Sequence, residues 1–362
     1  MIRADSLGKV LEFVRAHSAK LVASLIIAGG FIWVFRRGGI PLVPGADVLG
    51  HVGPLAWPSA VATMVVASYL RTYRWIYLLR PVAPELPRWR VLGIGFVGFT
   101  AVVFAPLRAG EVARPYLMAQ DGRITFAQGM ASVGAERIID GLFVTVLTGA
   151  GLLLTTPLSP LPDHLGTLPL PVTAVPGAVR FALALFVGAF VAMGFFFAAR
   201  SLATRLVRRI VGPISARGAD AIAAIVDRLA DGLSFLRSWS ASGPFLRDSV
   251  LYWLVMWGGY WFTLRACGAD LSLTQTLVVM GVLGLGSLIP SGPGFFGAYQ
   301  ISAYCGMAMF LPESVVLGSG AAFVFITYVS QLGVTLLGLA FGSWLMAVTP
   351  KPPPLAPTTS EA

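Results

Sequence analysis

Six apolar runs constrain the fold of this chain more than any other feature. Their length is about the 20 residues that an α-helix needs to cross a hydrocarbon core of about 30 Å. The chain is 56% hydrophobic, its mean hydropathy is +0.80, and only 12% of its residues are charged, so a soluble fold could not build the polar surface it needs. The sequence predicts an all-α polytopic integral membrane protein. The six predicted spans are 20–36, 55–78, 130–156, 177–199, 248–266 and 315–347.

Two shorter apolar stretches predict re-entrant helical hairpins. Residues 91–105 end at Pro106 and residues 276–289 end at Pro290, and each is followed by a Gly-containing turn and a second short helix. At about 1.5 Å per residue, these first arms extend only about 20 to 25 Å. The alternative is that Pro and Gly kink two ordinary spans. We expect hairpins over 91–120 and 273–311.

The positions of Lys and Arg predict the topology. Between 38–70, 138–179 and 266–350 there is no Lys or Arg, whereas 71–90 and 200–247 are rich in Arg and are therefore expected in the cytoplasm. Six spans then place both termini on the cytoplasmic side of the cytoplasmic (inner) membrane. The two hairpins enter this membrane from opposite faces. Corresponding Pro/Gly breaks in two halves indicate an inverted repeat with a site near the midplane.

This topology divides the chain into five segments. Arg36 and Arg37 follow the first run where a cleaved signal would have small residues, so we expect an uncleaved span. Between the halves, an apolar stripe over 213–240 predicts an amphipathic helix on the inner leaflet. The segments are a cytoplasmic N-terminus (1–19), a first membrane half (20–199), a basic cytoplasmic loop (200–247), a second half (248–347) and a disordered tail (348–362).

Charge and composition exclude several partner classes. The formal net charge is +10, but the basic residues lie beside apolar spans and form no soluble basic face, so nucleic acid is not an expected partner. The two cysteines and three histidines have no metal-ligand spacing, so we expect no metal and no other cofactor.

A first candidate cluster lies in PLRAGEVARPY at 106–116. Arg108, Glu111 and Arg114 recur every three residues on a short helix and can form a charge ladder. Charges beside a membrane-embedded break usually face a cavity or one another, and two guanidiniums could hold a lipid phosphate. The alternative is an interfacial helix whose charges lie in water.

Two more clusters carry charge. Arg71 and Arg74 lie one turn apart and can reach lipid headgroups, or they simply anchor the span as snorkelling arginines. Glu136 and Asp140 lie four residues apart, where they could pair with arginines or bind a coupling proton. For Arg137 between them, a salt bridge that fixes packing is the favoured interpretation.

The fourth cluster, LIPSGPGFFGAYQ at 288–300, carries no charge. Ser291, Gly292 and Gly294 could leave backbone N–H groups exposed at the start of a half-helix, where the dipole favours an anion such as phosphate. Tight helix packing would also require the glycines.

These motifs resemble the lysylphosphatidylglycerol synthase transmembrane-region proteins, also known as flippase-like domain proteins. The resemblance covers about residues 20–345 and rests on RTYRW, PLRAGEVAR, ERIID and PSGPGFFG. Members are similar to the lipid-flipping half of multiple peptide resistance factors, and some are linked to hopanoid lipids or polyprenyl-linked sugars. Family members often carry an acid three residues after the last Gly of the turn, where this chain has Gln300.

The sequence therefore predicts a lipid translocase for an anionic phospholipid, hopanoid or polyprenyl-linked lipid. Two alternatives remain: a non-transporting scaffold for a lipid-synthesising enzyme, and a membrane-embedded transferase with Glu111 or Asp140 as base. We expect no enzyme, because only KPPPLAPTTSEA follows residue 350 and no catalytic motif is present. Expected partners are membrane lipids, with a second copy of the chain or a lipid-synthesising enzyme as further possibilities. The expected substrate-binding residues are Arg71, Arg74, Arg108, Glu111, Arg114, Glu136, Asp140, Ser291, Gly292 and Gly294.

Overall fold

The computed structural model describes residues 18–105, 110–237, 239–289 and 291–351. Within those ranges the chain is almost entirely helical, with one two-residue antiparallel strand pair, β1 (His164–Leu165) and β2 (Leu168–Pro169). The prediction of an all-α protein is confirmed. The α-helices are α1 (Ser18–Gly38), α2 (Ala46–Gly50), α3 (Ala56–Tyr73), α4 (Trp75–Leu79), α5 (Arg88–Phe104), α6 (Ala113–Ala119), α7 (Phe126–Leu153), α8 (Val175–Ala198), α9 (Arg200–Val211), α10 (Ala216–Gly232), α11 (Trp239–Ala266), α12 (Leu273–Gly286), α13 (Ala298–Ala308), α14 (Glu313–Val315) and α15 (Ala321–Val348).

Side-chain caps fix where two central helices begin. Thr125 accepts a hydrogen bond from the Gln128 backbone N–H, and the Gln128 side chain accepts one from the Thr125 N–H, which forms a capping box at the start of α7. Ser272 and Gln275 form the same arrangement at the start of α12. These caps satisfy N–H groups that the first turn of a helix leaves without partners.

Both predicted hairpins contain a helix, a break and a second helix. In the first, α5 ends at Phe104 and α6 begins at Ala113; in the second, α12 ends at Gly286 and α13 begins at Ala298. Pro106 and Pro290, where the breaks were predicted, lie outside the described residues.

Helices of one half of the chain pack on helices of the other half. The helix that precedes the break in the first half, α5, packs on the last helix of the second half, α15. The helix that precedes the break in the second half, α12, packs on α7 of the first half. The long helices that precede the two hairpins, α3 and α11, also pack on each other. The helices of the two halves are therefore interleaved.

Within the described ranges, two helical segments are long and apolar enough to cross a bilayer: Val172–Ala198 and Glu313–Val348. They correspond to the predicted spans 177–199 and 315–347. Along α8 the side chains of Phe181, Val191 and Phe195 are each more than 60% exposed, and a continuous apolar surface of this kind suits lipid rather than water. The other four spans stay predictions, as does the orientation of the termini.

The basic segment between the halves folds into two helices that pack on each other, α9 and α10. The predicted amphipathic helix over 213–240 is shorter than expected, because α10 ends at Gly232 and a 3₁₀ turn follows at Ser234–Arg237. Its buried face is a stripe of alanines packed on α7, whereas Ile222 and Ile225 of the predicted stripe are exposed.

Candidate functional site

The candidate site is centred on two acids of α7. Glu136 is fully buried, and Asp140 lies one turn further along the same helix with a side chain that is 14% exposed. The capping box at the start of α7 fixes the position of this face. Isolated buried carboxylates are strongly destabilising, so both must have cationic partners.

Three arginines surround these acids. Glu136 accepts hydrogen bonds from Arg114 (Nη1 to Oε2, 2.9 Å) and Arg137 (Nη2 to Oε1, 2.6 Å), and Arg74 Nη2 lies 3.5 Å from Oε1. Asp140 accepts from Arg74 (Nη2 to Oδ2, 2.6 Å), and Arg137 Nη2 is 3.5 Å from the same oxygen. These contacts join α6, α7 and the α3–α4 junction in one ion-pair network.

Aromatic rings hold the guanidiniums on their other sides. The Phe99 ring of α5 has Arg71 4.0 Å and Arg114 4.1 Å from its centroid. Arg74 lies over Tyr252 at 5.1 Å and donates to Ser249 Oγ at 2.9 Å. Cation–π contacts of this kind are strongest where water is excluded.

A cavity of about 170 Å³ adjoins this network at the centre of the molecule. Its charged end carries Arg71, Arg137 and Asp140, and the rest of its wall is apolar or bears hydroxyl and amide groups. Helices from both halves contribute. The wall includes Met64, Ala67, Ser68, Val103, Gly141, Val144, Phe186, Tyr252, Trp253, Met256, Tyr260, Met280, Leu283, Gly284, Ser287, Leu288, Phe295, Tyr299, Gln331 and Thr335.

The start of the second arm of the first hairpin lies beside this cavity. Glu111 lines a separate depression with Arg137, Phe186 and Leu288. It follows Gly110, where an added Cβ would overlap the backbone of Ala101 in α5, so only glycine permits this close approach. Arg108, which the sequence predicts as a substrate ligand, lies outside the described residues.

The glycine-rich turn of the second hairpin is a packed structure. Gly294 has a φ of +75°, and a Cβ there would crowd the hydroxyl of Tyr328 in α15, while Gly292 lies against Ala28 of α1. The Gly292 N–H donates to the Phe296 carbonyl. Phe295 of the turn and Tyr299 of α13 line the cavity. Anion binding by the backbone of Ser291, Gly292 and Gly294 stays a prediction.

Gln300 has a structural role in the same turn. Its Oε1 accepts a hydrogen bond from the Gly297 N–H at 2.8 Å, and Gly297 has a φ of +94°. The residue that departs from the pattern of similar proteins thus caps the start of α13.

The structure brings together five of the ten residues that the sequence singled out, and it adds others. Arg71, Arg74, Arg114, Glu136 and Asp140 share one network, whereas the 291–294 turn lies apart from its ion pairs. Phe99, Ser249 and Tyr252 were missed, because their contacts join segments that are far apart in sequence. Among the described residues, no group of three His, Cys, Asp or Glu side chains could hold a metal ion.

The fold and the site define an all-helical membrane domain with a charged central cavity. The chain belongs to the family described as the lysylphosphatidylglycerol synthase TM region, whose family model matches residues 21–338. The resemblance drawn from the sequence motifs is therefore confirmed.

A curated relative is the glycosyltransferase AglD of Haloferax volcanii. It is 26% identical over 310 residues, which cover 81% of this chain and 49% of the relative. This chain thus spans about half the length of the curated relative it matches. No solved structure matches the chain significantly.

The relative's name corrects one expectation. The sequence motifs predicted that the chain is not an enzyme, but a protein similar over most of this chain is named a glycosyltransferase. The expectation relied on the absence of familiar soluble catalytic motifs, and such motifs are not diagnostic for a membrane-embedded domain.

Proposed function

We propose that this protein is a lipid translocase whose central cavity binds an anionic lipid headgroup. The observation that carries the proposal is the cavity of about 170 Å³ with Arg71 and Arg137 at one end. Intramembrane charge is costly and marks substrate pathways by default. An anionic headgroup is the complement of this charged end, and the surrounding bilayer supplies such headgroups.

The packing of helices from one half on helices of the other half supports an inverted repeat around this cavity. The first helix of each hairpin contacts the long helix that follows the hairpin in the opposite half (α5 with α15, α12 with α7), and α3 contacts α11, as a pseudo-two-fold axis requires. In this proposal α5–α6 and α12–α13 are the re-entrant hairpins, and rocking of one half against the other opens the cavity to each leaflet in turn.

The proposed environment is the cytoplasmic membrane, with both termini and the basic helix α9 on the cytoplasmic side. α9 exposes Leu202, Leu206 and Ile210 along one face and also carries Arg205 and Arg208. Such a helix lies well at an anionic membrane surface. The substrate is an anionic phospholipid, a hopanoid or a polyprenyl-linked lipid.

The test is lipid translocation in proteoliposomes that contain fluorescent phosphatidylglycerol, phosphatidylethanolamine or a polyprenyl phosphate. The variants are Glu111→Gln and Arg114→Ala, with Arg265→Gln as the matched control, because Arg265 is exposed and pairs only with Asp270 in the described residues. We expect the wild type and the control to move an anionic lipid and both site variants to lose at least 90% of the rate. Translocation no faster than in empty vesicles would contradict the proposal and favour the scaffold alternative.

Glycosyl transfer is the second candidate function, because the curated relative carries that name. Asp140 borders the cavity, and its buried Oδ1 has no hydrogen-bond partner among the described residues, so it is the carboxylate oxygen left to accept from an acceptor hydroxyl. The same vesicles, supplied with a polyprenyl-phosphate sugar and a lipid acceptor, test it by mass spectrometry of the extracted lipids. New glycolipid that disappears in Asp140→Asn would support this candidate over simple translocation.

A further inference from the structure

The arginines of the network have two different environments. Arg74 and Arg114 are enclosed, with side chains 0% and 1% exposed, and each has a close carboxylate partner. Neither lines the cavity, whereas Arg71 and Arg137 do. Arg74 and Arg114 therefore only hold the acids in place, whereas Arg71 and Arg137 face the space that a ligand would occupy, Arg137 while it also contacts Glu136.

Arg71 carries a charge that the described residues do not neutralise. It has no ion pair with any described carboxylate; its guanidinium lies over the Phe99 ring instead, and its Nε is shielded from solvent without a hydrogen-bond partner. A cation taken from water without an anion is destabilising. An anion in the cavity would remove this cost.

Arg137 is placed to share that anion. Its side chain is 26% exposed, and although its Nη2 pairs with Glu136 and Asp140, its buried Nε has no hydrogen-bond partner in the part of the chain that the structure describes. A guanidinium offers five donors in a fixed plane, so it can keep a carboxylate on one edge and bind a phosphate oxygen with another.

The rest of the wall narrows the class of ligand. Two arginines and one aspartate are the charged groups in the described wall, which leaves a net charge of +1. Tyr252, Tyr260, Gln331 and Thr335 add uncharged donors and acceptors. This wall complements a single negative charge that carries hydroxyl groups, as in a phosphodiester with an alcohol or sugar substituent.

The cavity also limits how much of the lipid it can hold. Its volume of about 170 Å³ is below the roughly 300–1,000 Å³ typical of sites that enclose a whole small molecule. A headgroup fits, and the hydrocarbon chains must remain in the bilayer.

We infer that Arg71 and Arg137 form the phosphate-binding pair for a lipid phosphodiester with an uncharged, hydroxyl-bearing headgroup. Arg74 and Arg114 are positioning residues, which hold the acids of α7. This inference rests on the proposed function and names its substrate class.

Thermal unfolding of the detergent-purified full chain tests the inference through binding alone. The probes are soluble dihexanoyl phosphatidylglycerol, dihexanoyl phosphatidylcholine and inorganic phosphate. A ligand that binds the folded state raises the midpoint as its concentration rises. We expect the phosphatidylglycerol probe to raise it and the other two to have little effect. An equal rise with inorganic phosphate would overturn the lipid assignment, and an equal rise with phosphatidylcholine would overturn the charge argument.

Single substitutions test whether Arg71 and Arg137 bind the phosphate. In Arg71→Gln and Arg137→Gln we expect the apparent Kd for phosphatidylglycerol to rise about ten- to hundredfold, because each loses a charge-assisted hydrogen bond. Arg265→Gln should bind as the wild type does. Without lipid, Arg71→Gln should unfold no earlier than wild type, because it loses an unneutralised charge, whereas Arg74→Gln should unfold earlier. Unchanged affinity in both cavity variants would overturn the inference.

The binding assay and the transport assay can give negative results independently of each other. If the wild type moves phosphatidylglycerol and both cavity variants move it equally fast, the assignment of the phosphate pair is wrong and the translocase proposal stands. If the lipid binds as described but the wild type does not move it, the translocase proposal fails and the binding site stands.

Discussion

Glu136→Gln is the substitution that most directly tests the ion-pair network. The carboxylate is fully buried and lies within 3.5 Å of guanidinium nitrogens from Arg74, Arg114 and Arg137. Glutamine keeps the shape and one acceptor oxygen but removes the charge, so the three guanidiniums lose the carboxylate that they share. Removing one partner of a buried pair costs about 3 to 5 kcal/mol. At about 2 °C per kcal/mol for a large domain, the midpoint of thermal unfolding should fall by about 6 to 10 °C.

An ion pair whose carboxylate is exposed provides the control. Glu85 has a side chain that is 74% exposed and pairs with Arg123 at 3.3 Å, so Glu85→Gln should cost less than about 1 kcal/mol. Unfolding is followed by tryptophan fluorescence of detergent-purified protein. If Glu136→Gln and Glu85→Gln unfolded at the same temperature, the network would not stabilise the fold, and the division into positioning and ligand-binding arginines would lose its basis.

Three further predictions concern the supports of the two breaks. Arg90 donates two hydrogen bonds to Asp121, at 2.6 and 2.8 Å, so Arg90→Gln should destabilise the protein by about 3 kcal/mol, measured by thermal unfolding. Gly110→Ala should lower the yield of folded monodisperse protein on size-exclusion chromatography, because its Cβ overlaps α5; Gly134→Ala, which meets nothing within 4 Å, should not, and equal yields would contradict the predicted clash. Gly297→Ala should lower the unfolding midpoint, because its φ of +94° and a neighbouring ring both exclude a Cβ; an unchanged midpoint would refute this.

The lengths of the apolar runs and the positions of Pro and Gly between them predicted the helices well. The first arm of the first hairpin was predicted over 91–105 and is Arg88–Phe104, and the run predicted at 130–156 overlaps the helix Phe126–Leu153 with a shift of a few residues. The largest error was at α11, predicted from 248 and observed from Trp239. The residues before 248 are polar, so no apolar run indicated the first turns of α11. Pro244 lies inside the helix, and a proline in the sequence predicts a helix end rather than a helix interior.

Tertiary contacts of the site could not be predicted in the same way. The i, i+4 spacing placed Glu136 and Asp140 on one face of α7, but it did not say which arginines reach them. Arg74 bonds Asp140 across 66 residues and Ser249 across 175 residues. Such pairs follow from how α3, α7 and α11 pack. The aromatic faces that flank the guanidiniums carry no signature in a sequence already rich in Phe and Tyr.

The acids of the network give the proposed site a way to release its ligand. Arg71 gains an anion when phosphate enters, but Arg137 is already held by Glu136 at 2.6 Å, so a phosphate must share that guanidinium with a carboxylate. Asp140 borders the same cavity and repels a bound phosphate, since like charges at short range are strongly coupled where water is excluded. Two arginines alone would bind the headgroup tightly and stall transport, whereas competition by Glu136 and repulsion by Asp140 limit the affinity. A cavity that binds and releases in each cycle therefore needs both its cations and its acids.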